Sequence, residues 1–342
     1  GSGRSGCVYA RNLGERRGVR SCAVDSVGLG LATIDVMTLV PRLPGRDEVF
    51  PARRILLEGG GPVATALVAA ARLGASTAYL GPIAPTTWGA LTRAGLEAQR
   101  VDTGHAPERA AGEQPCAVIL VDEPTGQRSI LYERGDLQDL APAEVPAGLV
   151  TSARALHLDG VYPEAACHAA EMARQAGVVV SFDGGAGVDW DGTEGLLSLV
   201  DLMVVARRSA EEITGLSDPL EAGQSLLESY EPRQVVITDG VRGSWCWETV
   251  QGTAGSRTGS QSIHQPAVAV DVVDTTGAGD VYHGAYLYAF LQGWPARRCL
   301  AFAAATAALK CQELGGRAGI PTRPQVDAVL EELGGSSRLE RR

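Results

Sequence analysis

The sequence is almost without lysine and contains no run of basic residues. Lys310 is the only lysine, so nearly all of the 30 basic residues are arginines, against 40 Asp and Glu, and the formal net charge is −10. A protein that binds nucleic acid would be expected to present a basic face to the phosphate backbone. The charge balance therefore predicts no nucleic-acid partner and is typical of a cytoplasmic protein.

Cysteine motifs and long apolar runs are also absent. The seven cysteines include no C-x-x-C pair, and no group of His and Cys has the spacing of zinc ligands. Scattered thiols of this kind are typical of a reducing compartment. No apolar run approaches the roughly 20 residues that span a bilayer, and the alanine-rich stretch Cys299–Leu309 predicts a buried helix instead. We therefore expect no membrane partner.

The two ends of the sequence differ in composition from the rest. Residues 1–20 are rich in Gly, Ser and Arg and lack the apolar segment of a signal peptide, so we expect a tag or loose leader outside the fold. The polar residues 334–342 are expected to form a frayed tail. Residues 21–333 are long enough to bury a large core, and no linker divides them, which predicts a single domain.

Short apolar runs alternate with helical stretches along residues 21–333. The predicted strands are Cys22–Leu29, Ser76–Leu80, Ala155–Leu158, Val178–Phe182, Leu202–Val205 and Gln234–Thr238. Helical segments such as 163–176 and 209–215 lie between them. This alternation predicts an α/β fold, in which a mostly parallel central sheet is covered by helices on both faces.

Two segments interrupt that alternation. Residues 36–57 and 115–132 resemble antiparallel strand pairs, the second turning at the sequence EPTG of 123–126. They predict a small β-sheet lid built from residues 34–58 and 112–134. Because exposed strands leave unpaired edges, we expect the protein to form a homodimer through this lid.

The segment 270–290, VDVVDTTGAGDVYHGAYLYAF, is the most informative stretch of the sequence. A strand-like run ends at Asp274, passes through Gly277, Ala278 and Gly279, and enters a helix near Asp280. Small residues at a helix N-terminus allow backbone amides to approach an anion, which the oriented N–H groups and the helix dipole then stabilise. The pattern predicts an anion hole formed by the amides of residues 277–279.

Asp280 lies at the end of this predicted anion hole. If the anion is a phosphoryl group in transfer, the Asp280 carboxylate is placed to accept the proton of an attacking hydroxyl. General-base assistance of this kind accelerates a reaction by roughly 10²–10⁴-fold. The alternative is that Asp274 and Asp280 only cap a turn and a helix, a common role of aspartate.

Four motifs together resemble those of the PfkB, or ribokinase-like, carbohydrate kinase family. They are DTTGAGD at 274–280, GGGPVATALVAAARLG at 59–74, TDGVRG at 238–243 and GGRAGIP at 315–321. They follow the family's order, and the resemblance spans residues 28–321, nearly the whole chain. The combination of HQPAVAVDVVDTTGAGDVYHG, AALKC and GGRAGIP is most similar to the sulfofructose-kinase-like subgroup. The resemblance implies a three-layer α/β/α domain with a lid, and ATP and Mg²⁺ as cofactors.

The resemblance also implies roles for individual residues. Asp280 would be the catalytic base, with Gly277, Ala278 and Gly279 as the anion hole. The remaining assignments are Asp35, Gly60, Gly61 and Thr65 for the sugar, Thr238, Gly240, Gly243 and Gly315 for the nucleotide, and Asp274 for a monovalent cation such as K⁺. The implied partners are therefore a small sugar substrate and ATP.

The sequence departs from the family pattern at several positions. The magnesium-linked N-x-x-E motif is replaced by Ala206 and Ser209, which predicts that Mg²⁺ is held mainly by ATP phosphates and water. The segment 158–162 has no arginine for a sulfonate. Arg134 is a candidate for binding an anionic substrate group and equally a lid-surface residue.

His283 is expected to pack against the core rather than take part in chemistry, and His157 has no partner pattern.

The expected function is the ATP-dependent phosphorylation of a hydroxyl on a sugar. Candidate substrates are ribose and ketoses such as fructose, or a sulfo- or phosphoketose. A nucleoside kinase of the same fold is an alternative, in which Tyr132 or Tyr162 would stack on a base. A second alternative, suggested by the missing N-x-x-E motif, is a sugar or nucleotide sensor with little catalytic activity.

Overall fold

The computed structural model describes residues 24–185, 193–251 and 257–339. The predicted leader, residues 1–20, lies outside the described residues. The strands are β1 Ser26–Leu29, β2 Thr33–Val40, β3 Arg54–Gly60, β4 Thr77–Leu80, β5 Val101–Asp102, β6 Cys116–Asp122, β7 Arg128–Glu133, β8 Ala155–Leu158, β9 Val179–Gly184, β10 Leu202–Ala206, β11 Gln234–Thr238, β12 Ser244–Gln251 and β13 Arg257–Gln265. The helices are α1 Pro62–Arg72, α2 Thr87–Ala98, α3 Ala147–Ser152, α4 Pro163–Ala176, α5 Glu194–Leu197, α6 Arg207–Thr214, α7 Pro219–Tyr230, α8 Ala278–Leu291, α9 Ala296–Lys310 and α10 Arg323–Leu339.

The central sheet has nine strands in the order β13-β12-β11-β10-β9-β8-β1-β4-β5. The strands from β11 to β5 are parallel, and β12 and β13 extend the sheet as an antiparallel hairpin. The buried strands are apolar on both faces, as expected for a parallel sheet covered by helices. The predicted mostly parallel α/β sheet is therefore confirmed.

Helices cover the two faces of this sheet. On one face, α1, α8 and α9 pack together around Tyr286, Phe302 and Leu300. On the other, α3, α4 and α7 pack around Phe182, Leu156 and other apolar side chains of the strands. The carboxyl ends of the parallel strands lie at one edge, where ligands of such folds bind.

The small sheet has the strand order β3-β2-β6-β7. The pairs β2–β3 and β6–β7 are antiparallel, as predicted, whereas β2 and β6 are parallel. Its inner face, which includes the buried Met37 and Ile119, packs against Leu314 of the body. The lid is therefore attached to the body through its own apolar contacts.

Helix α10 continues to Leu339. Helical structure thus extends past residue 333, where we expected the frayed tail to begin, and residues 340–342 lie outside the described part of the chain. Within the described residues, no helix combines the length and the apolar character needed to cross a membrane.

Candidate active site

The loop that precedes α8 is held by the Asp274 carboxylate. This side chain is fully buried, and its two oxygens accept hydrogen bonds from the backbone amides of Thr276 (2.8 Å) and Gly315 (2.9 Å). The ammonium group of Lys310, also fully buried, donates to the carbonyl oxygen of Asp274 at 3.0 Å. These contacts fix the 274–280 loop against the 315–317 turn.

Gly315, which we predicted to contact the nucleotide, is buried in this arrangement. Its φ is 122°, and a Cβ added there would lie 2.4 Å from Oε2 of Glu58. Its amide is used by Asp274. The geometry therefore places Gly315 as a brace between the lid and the loop rather than on a nucleotide-facing surface.

Helix α8 begins at Ala278, two residues before the predicted start, with Gly277 as its N-cap at φ 72°. A Cβ on Gly277 would lie 2.8 Å from the carbonyl oxygen of Gly316, so the close approach of the two loops requires glycine. The Ala278 amide donates to the carbonyl of Thr275 (3.2 Å). Among the described residues, no backbone carbonyl accepts from the amides of Gly277, Gly279 or Asp280.

These contacts revise the expected anion hole. The amide of Ala278 closes a turn, whereas the amides of Gly277, Gly279 and Asp280 at the helix N-terminus donate to no backbone carbonyl of the described residues. Unpaired amides at a helix N-terminus are the donors that bind phosphate.

The Asp280 side chain lies in the first turn of α8 and is partly exposed. Burial raises the pKa of its carboxyl, while the positive charges of Arg128, Arg317 and Lys310 oppose that rise. Asp183, at the carboxyl end of β9, is nearby, and burial together with the Asp280 charge raises the pKa of Asp183 well above its usual range. A raised pKa makes the Asp280 carboxylate a stronger base.

Asp35, the predicted sugar ligand, is buried in β2 of the lid. Its Oδ1 accepts a hydrogen bond from the Thr33 hydroxyl at 2.7 Å. Burial raises the pKa of Asp35 to about 6, although Thr33 and Arg317 lower it. A Cβ on Gly60 would lie 2.0 Å from Oδ2 of Asp35, so glycine is required at this predicted substrate position.

Gly61 and Thr65 flank the same part of the site. Gly61 has φ 91°, and a Cβ there would lie 2.4 Å from the carbonyl oxygen of Leu31. Gly61 caps α1, and the buried Thr65 lies one turn into that helix. The structure thus places Asp35 and Gly60 side by side, with Gly61 and Thr65 following at the start of α1.

Arg317 is a site residue that the sequence did not predict. Its buried guanidinium donates to the Thr65 hydroxyl (Nε to Oγ1, 3.1 Å) and to the carbonyl oxygen of Gly60. Burial lowers the pKa of Arg317 to about 10, and the negative charges of Asp35, Glu58 and Asp280 oppose this effect. A single buried cation therefore interacts with both the predicted sugar ligand and the predicted base.

Arg128 connects the lid to the same loop. Its Nη1 donates to the Thr275 hydroxyl at 3.2 Å, and that hydroxyl donates to the carbonyl of Gly126 in the turn between β6 and β7. The positive charge of Arg128 also lowers the pKa of Asp280. These contacts hold the β6–β7 turn against the 274–280 loop and place the Arg128 guanidinium close to the predicted base, Asp280.

A cavity of about 390 Å³ lies at the base of the lid. It is lined by Leu31, Pro115, Arg134, Gly135, Asp136, Leu137, Asp139, Val161 and Tyr162. Arg134 pairs with Asp139 across 3.3 Å at its rim. Tyr162 is buried, whereas Tyr132 is half exposed on the lid and does not line the cavity. The volume is suitable for a small ligand.

Of the predicted nucleotide residues, Thr238 ends β11, and Gly240 and Gly243 lie in the turn between β11 and β12. Gly240 and Gly243 have φ of 51° and 89°, and Asp239 donates its amide to the carbonyl of Gly243 at 2.9 Å. The turn is exposed at the carboxyl edge of the sheet, the edge that also contains the end of β9. Its position is compatible with the predicted contact to ATP.

The residues at the magnesium motif do not fit a protein-held Mg²⁺. Ala206 offers no ligand, and the Ser209 hydroxyl donates to the carbonyl of Gly185 at 3.3 Å. The nearby Glu211 and Glu212 form ion pairs with Arg207 and Arg208 along α6. A magnesium ion would therefore have to be held by nucleotide phosphates and water rather than by this motif.

The surroundings of Asp274 do not fit a monovalent cation either. Both of its carboxylate oxygens accept backbone hydrogen bonds, and the Lys310 ammonium already supplies a positive charge beside it. A lysine that is 0% exposed is unusual, because burial of an ammonium group is costly. The predicted cation role of Asp274 is thus replaced by a structural one.

The sequence pattern described as pfkB family carbohydrate kinase matches residues 25–323. The chain belongs to this family. As a PfkB-family member it is a sugar or nucleoside kinase that uses ATP.

The relatives are kinases of sugars and nucleosides. The ATP-dependent ribose-1-phosphate kinase of Halopiger xanaduensis is 30% identical over 300 residues, which cover 87% of this chain and 94% of that protein. The nucleoside kinase of Methanothermobacter thermautotrophicus is 27% identical over 297 residues, with 87% and 92% covered. Among solved structures, Arabidopsis thaliana ribokinase complexed with ribose and ATP has a TM-score of 0.74 and 25% identity, and the match covers 90% of this chain and 99% of that one.

These similarities confirm the ribokinase-like fold and the kinase family. The narrower assignment to the sulfofructose-kinase-like subgroup is not confirmed and stays a prediction.

Proposed function

We propose that the protein transfers the γ-phosphoryl group of ATP to a hydroxyl of a sugar, with Asp280 as the general base. The observation that supports this best is the position of Asp280, a partly exposed carboxylate with a raised pKa beside amides at the start of α8 that have no backbone acceptor. Phosphoryl transfer depends mainly on positioning and charge stabilisation, and this site offers both.

Each residue has a distinct part in the proposed reaction. Asp35 accepts hydrogen bonds from sugar hydroxyls, and Asp280 takes the proton of the attacking hydroxyl. The amides of Gly277, Gly279 and Asp280 bind the phosphoryl oxygens, and Arg317 offsets the charge of the two carboxylates. Mg²⁺, bound to the ATP phosphates, would supply further charge neutralisation. The lid excludes water and so limits the loss of ATP by hydrolysis.

The cavity at the base of the lid supports the substrate class that we propose. Its volume of about 390 Å³ suits a monosaccharide, and Arg134 at its rim offers a cation for a phosphate or sulfonate group. The substrates we propose are ribose, a ketose, or a sugar that has a phosphate or sulfonate group. The name of the ribose-1-phosphate kinase relative supports a substrate that already has a phosphate.

A panel assay tests this assignment. ADP release would be measured with fructose, ribose, ribose 1-phosphate, sulfofructose, fructose phosphates and adenosine at equal concentration. We expect turnover with one sugar class and a loss of preference for anionic sugars in Arg134→Gln, with Arg208→Gln as a surface control. Binding of sugar and ATP without ADP release would instead favour a sensor.

A nucleoside kinase is the second candidate, because the buried Tyr162 lines the cavity and one relative is named a nucleoside kinase. An aromatic face of this kind can stack on a base. Faster phosphorylation of adenosine than of any sugar in the panel, together with its loss in Tyr162→Leu, would establish this alternative.

We also propose that the protein forms a homodimer through the outer face of the lid. Leu57, Val36, Val118 and Leu131 lie in register across the four strands, and three of them are at least 42% exposed. An exposed apolar row of this kind favours burial against a second copy. Light scattering should give a dimer for the native protein and a monomer for Val118→Glu; a native monomer up to high concentration would contradict the proposal.

A further inference from the structure

Three buried side chains from separate elements come together at the carboxyl edge of the sheet. They are His157 of β8, Asp183 of β9 and His283 of α8. Their side chains are 1%, 2% and 4% exposed, and each provides one potential ligand atom within 4.8 Å of the others. The proposed kinase reaction uses none of the three.

The facing atoms of this cluster have no hydrogen-bond partner. Within the described part of the chain, this applies to Nε2 of His157, Oδ2 of Asp183 and Nδ1 of His283. Nδ1 of His157 lies 3.2 Å from the Ser181 hydroxyl, and this contact leaves Nε2 as the nitrogen that belongs to the cluster. Burial of an unpaired polar atom costs roughly 1–3 kcal/mol, so three at one place call for an additional partner.

The distance between His283 and Asp183 fits two ligands of one metal ion better than a direct hydrogen bond. Nδ1 of His283 lies 3.4 Å from Oδ2 of Asp183, beyond the usual N–H···O distance. Two ligands at about 2.0–2.1 Å from a tetrahedral zinc ion are separated by roughly 3.3–3.4 Å.

We propose that His157, Asp183 and His283 bind one divalent transition-metal ion, with Zn²⁺ as the ion of best fit. Two imidazoles and one carboxylate are a common zinc donor set that leaves a fourth position for water. The ion would lie close to the start of α8, where Asp280 is one helical turn before His283. This site is distinct from any magnesium that accompanies ATP, because Mg²⁺ prefers oxygen ligands.

Metal analysis of the purified protein tests the proposal without reference to kinase activity. The protein would be expressed without a polyhistidine tag in zinc-supplemented medium, and its metal content measured by plasma mass spectrometry after gel filtration. We expect about one zinc ion per chain, since a site this buried exchanges slowly. In His157→Asn and His283→Asn, the content should fall to about a tenth or less, whereas His168→Asn, on the exposed face of α4, should keep it.

A second measurement does not depend on the folding of the variants. Native protein loaded with Co²⁺ should show visible ligand-field absorption, and one equivalent of Zn²⁺ should remove it. The proposal is overturned if native protein contains no stoichiometric metal and its melting temperature does not respond to Zn²⁺. It is also overturned if the metal remains bound in the His157→Asn, His283→Asn double variant.

Discussion

The phosphoryl side and the lid side of the site are built in different ways. On the phosphoryl side, backbone amides and the buried Asp274 and Lys310 define a loop whose geometry depends little on exposed side chains. On the lid side, Asp35 lies in a small sheet whose outer row is apolar and exposed, and Arg134 directly follows the last strand of that sheet. We therefore expect the first region to determine the reaction and the second to determine the choice of substrate.

Arg317 is the residue that joins the two regions. Its guanidinium contacts Gly60 and Thr65, while its charge acts on Asp35 and on Asp280. A change on the phosphoryl side should reduce turnover with every substrate, whereas a change on the lid side should alter affinity and preference.

The largest effect is expected from Asp280→Asn. Loss of the base should reduce kcat by roughly 10²–10⁴-fold or more, with ATP affinity and melting temperature nearly unchanged. ADP release, together with calorimetric titration of ATP, measures both quantities. Asp271→Asn, a change of an exposed carboxylate in the same segment, serves as the control. Full turnover by Asp280→Asn would disprove the assignment of the base.

Arg317→Met should affect both regions at once. Loss of a preorganised cation near the reacting groups should lower kcat/KM by about ten- to a hundredfold. The charge of Arg317 lowers the pKa of Asp35 and of Asp280, so its removal should raise both pKa values. The acid limb of the pH–rate profile should then move to higher pH. Arg208→Met, at an exposed ion pair, should leave the profile unchanged. A uniform loss at all pH values would show that Arg317 has only a structural role.

Asp35→Asn should separate stability from function. The pKa of Asp35 is raised from 3.8 to about 6, so between these values the folded protein binds more protons than the unfolded chain and stability falls as pH rises. Above pH 6 the native protein is therefore less stable by at most about 3 kcal/mol on account of this group.

Urea unfolding between pH 4 and 7.5 measures this effect. Asp35→Asn should become more stable relative to the native protein as pH rises, while its KM for the sugar increases. Asp271→Asn should keep the native pH dependence. If the native protein and Asp35→Asn lost stability in parallel across this range, the buried charge of Asp35 would not be the cause of the pH dependence.

The smallest effect is expected from exchange of the monovalent cation. Because the Lys310 ammonium lies beside Asp274, replacement of K⁺ by Na⁺ or a bulky organic cation should change kcat by no more than roughly twofold. Steady-state rates at constant ionic strength test this. A tenfold loss in the absence of K⁺ would show that a cation binds elsewhere on the phosphoryl side.

The parts of the structure that were predictable depend on local sequence. The loop and the helix of residues 270–290 are contiguous, so their residue types were sufficient to predict a helix N-terminus and its neighbouring carboxylate. The strand-like run that we expected to end at Asp274 is not a strand: β13 ends at Gln265, and residues 266–277 belong to no strand. The alternation of apolar runs similarly predicted the parallel sheet. The hydrogen bond from the Ala278 amide to the carbonyl of Thr275 was not predictable, because it depends on how tightly the turn at Thr275 closes.

Contacts between distant segments were not predictable. Arg317 meets Thr65 across 252 residues, and nothing in the spacing of either motif indicates that contact. The metal cluster was missed for the same reason, since His157, Asp183 and His283 come from two strands and a helix. His283 is buried, as expected, and only the packing of α8 against β9 reveals its neighbours.

The enclosure of Lys310 has a practical consequence. It is the only primary amine on any side chain of this protein, and it is inaccessible while the 274–280 loop is in place. An amine-reactive reagent can therefore modify that side chain only during transient opening of this part of the structure. The time course of its labelling, followed by peptide mass spectrometry, would report how often the phosphoryl-binding end of the molecule opens and how strongly ATP suppresses the event.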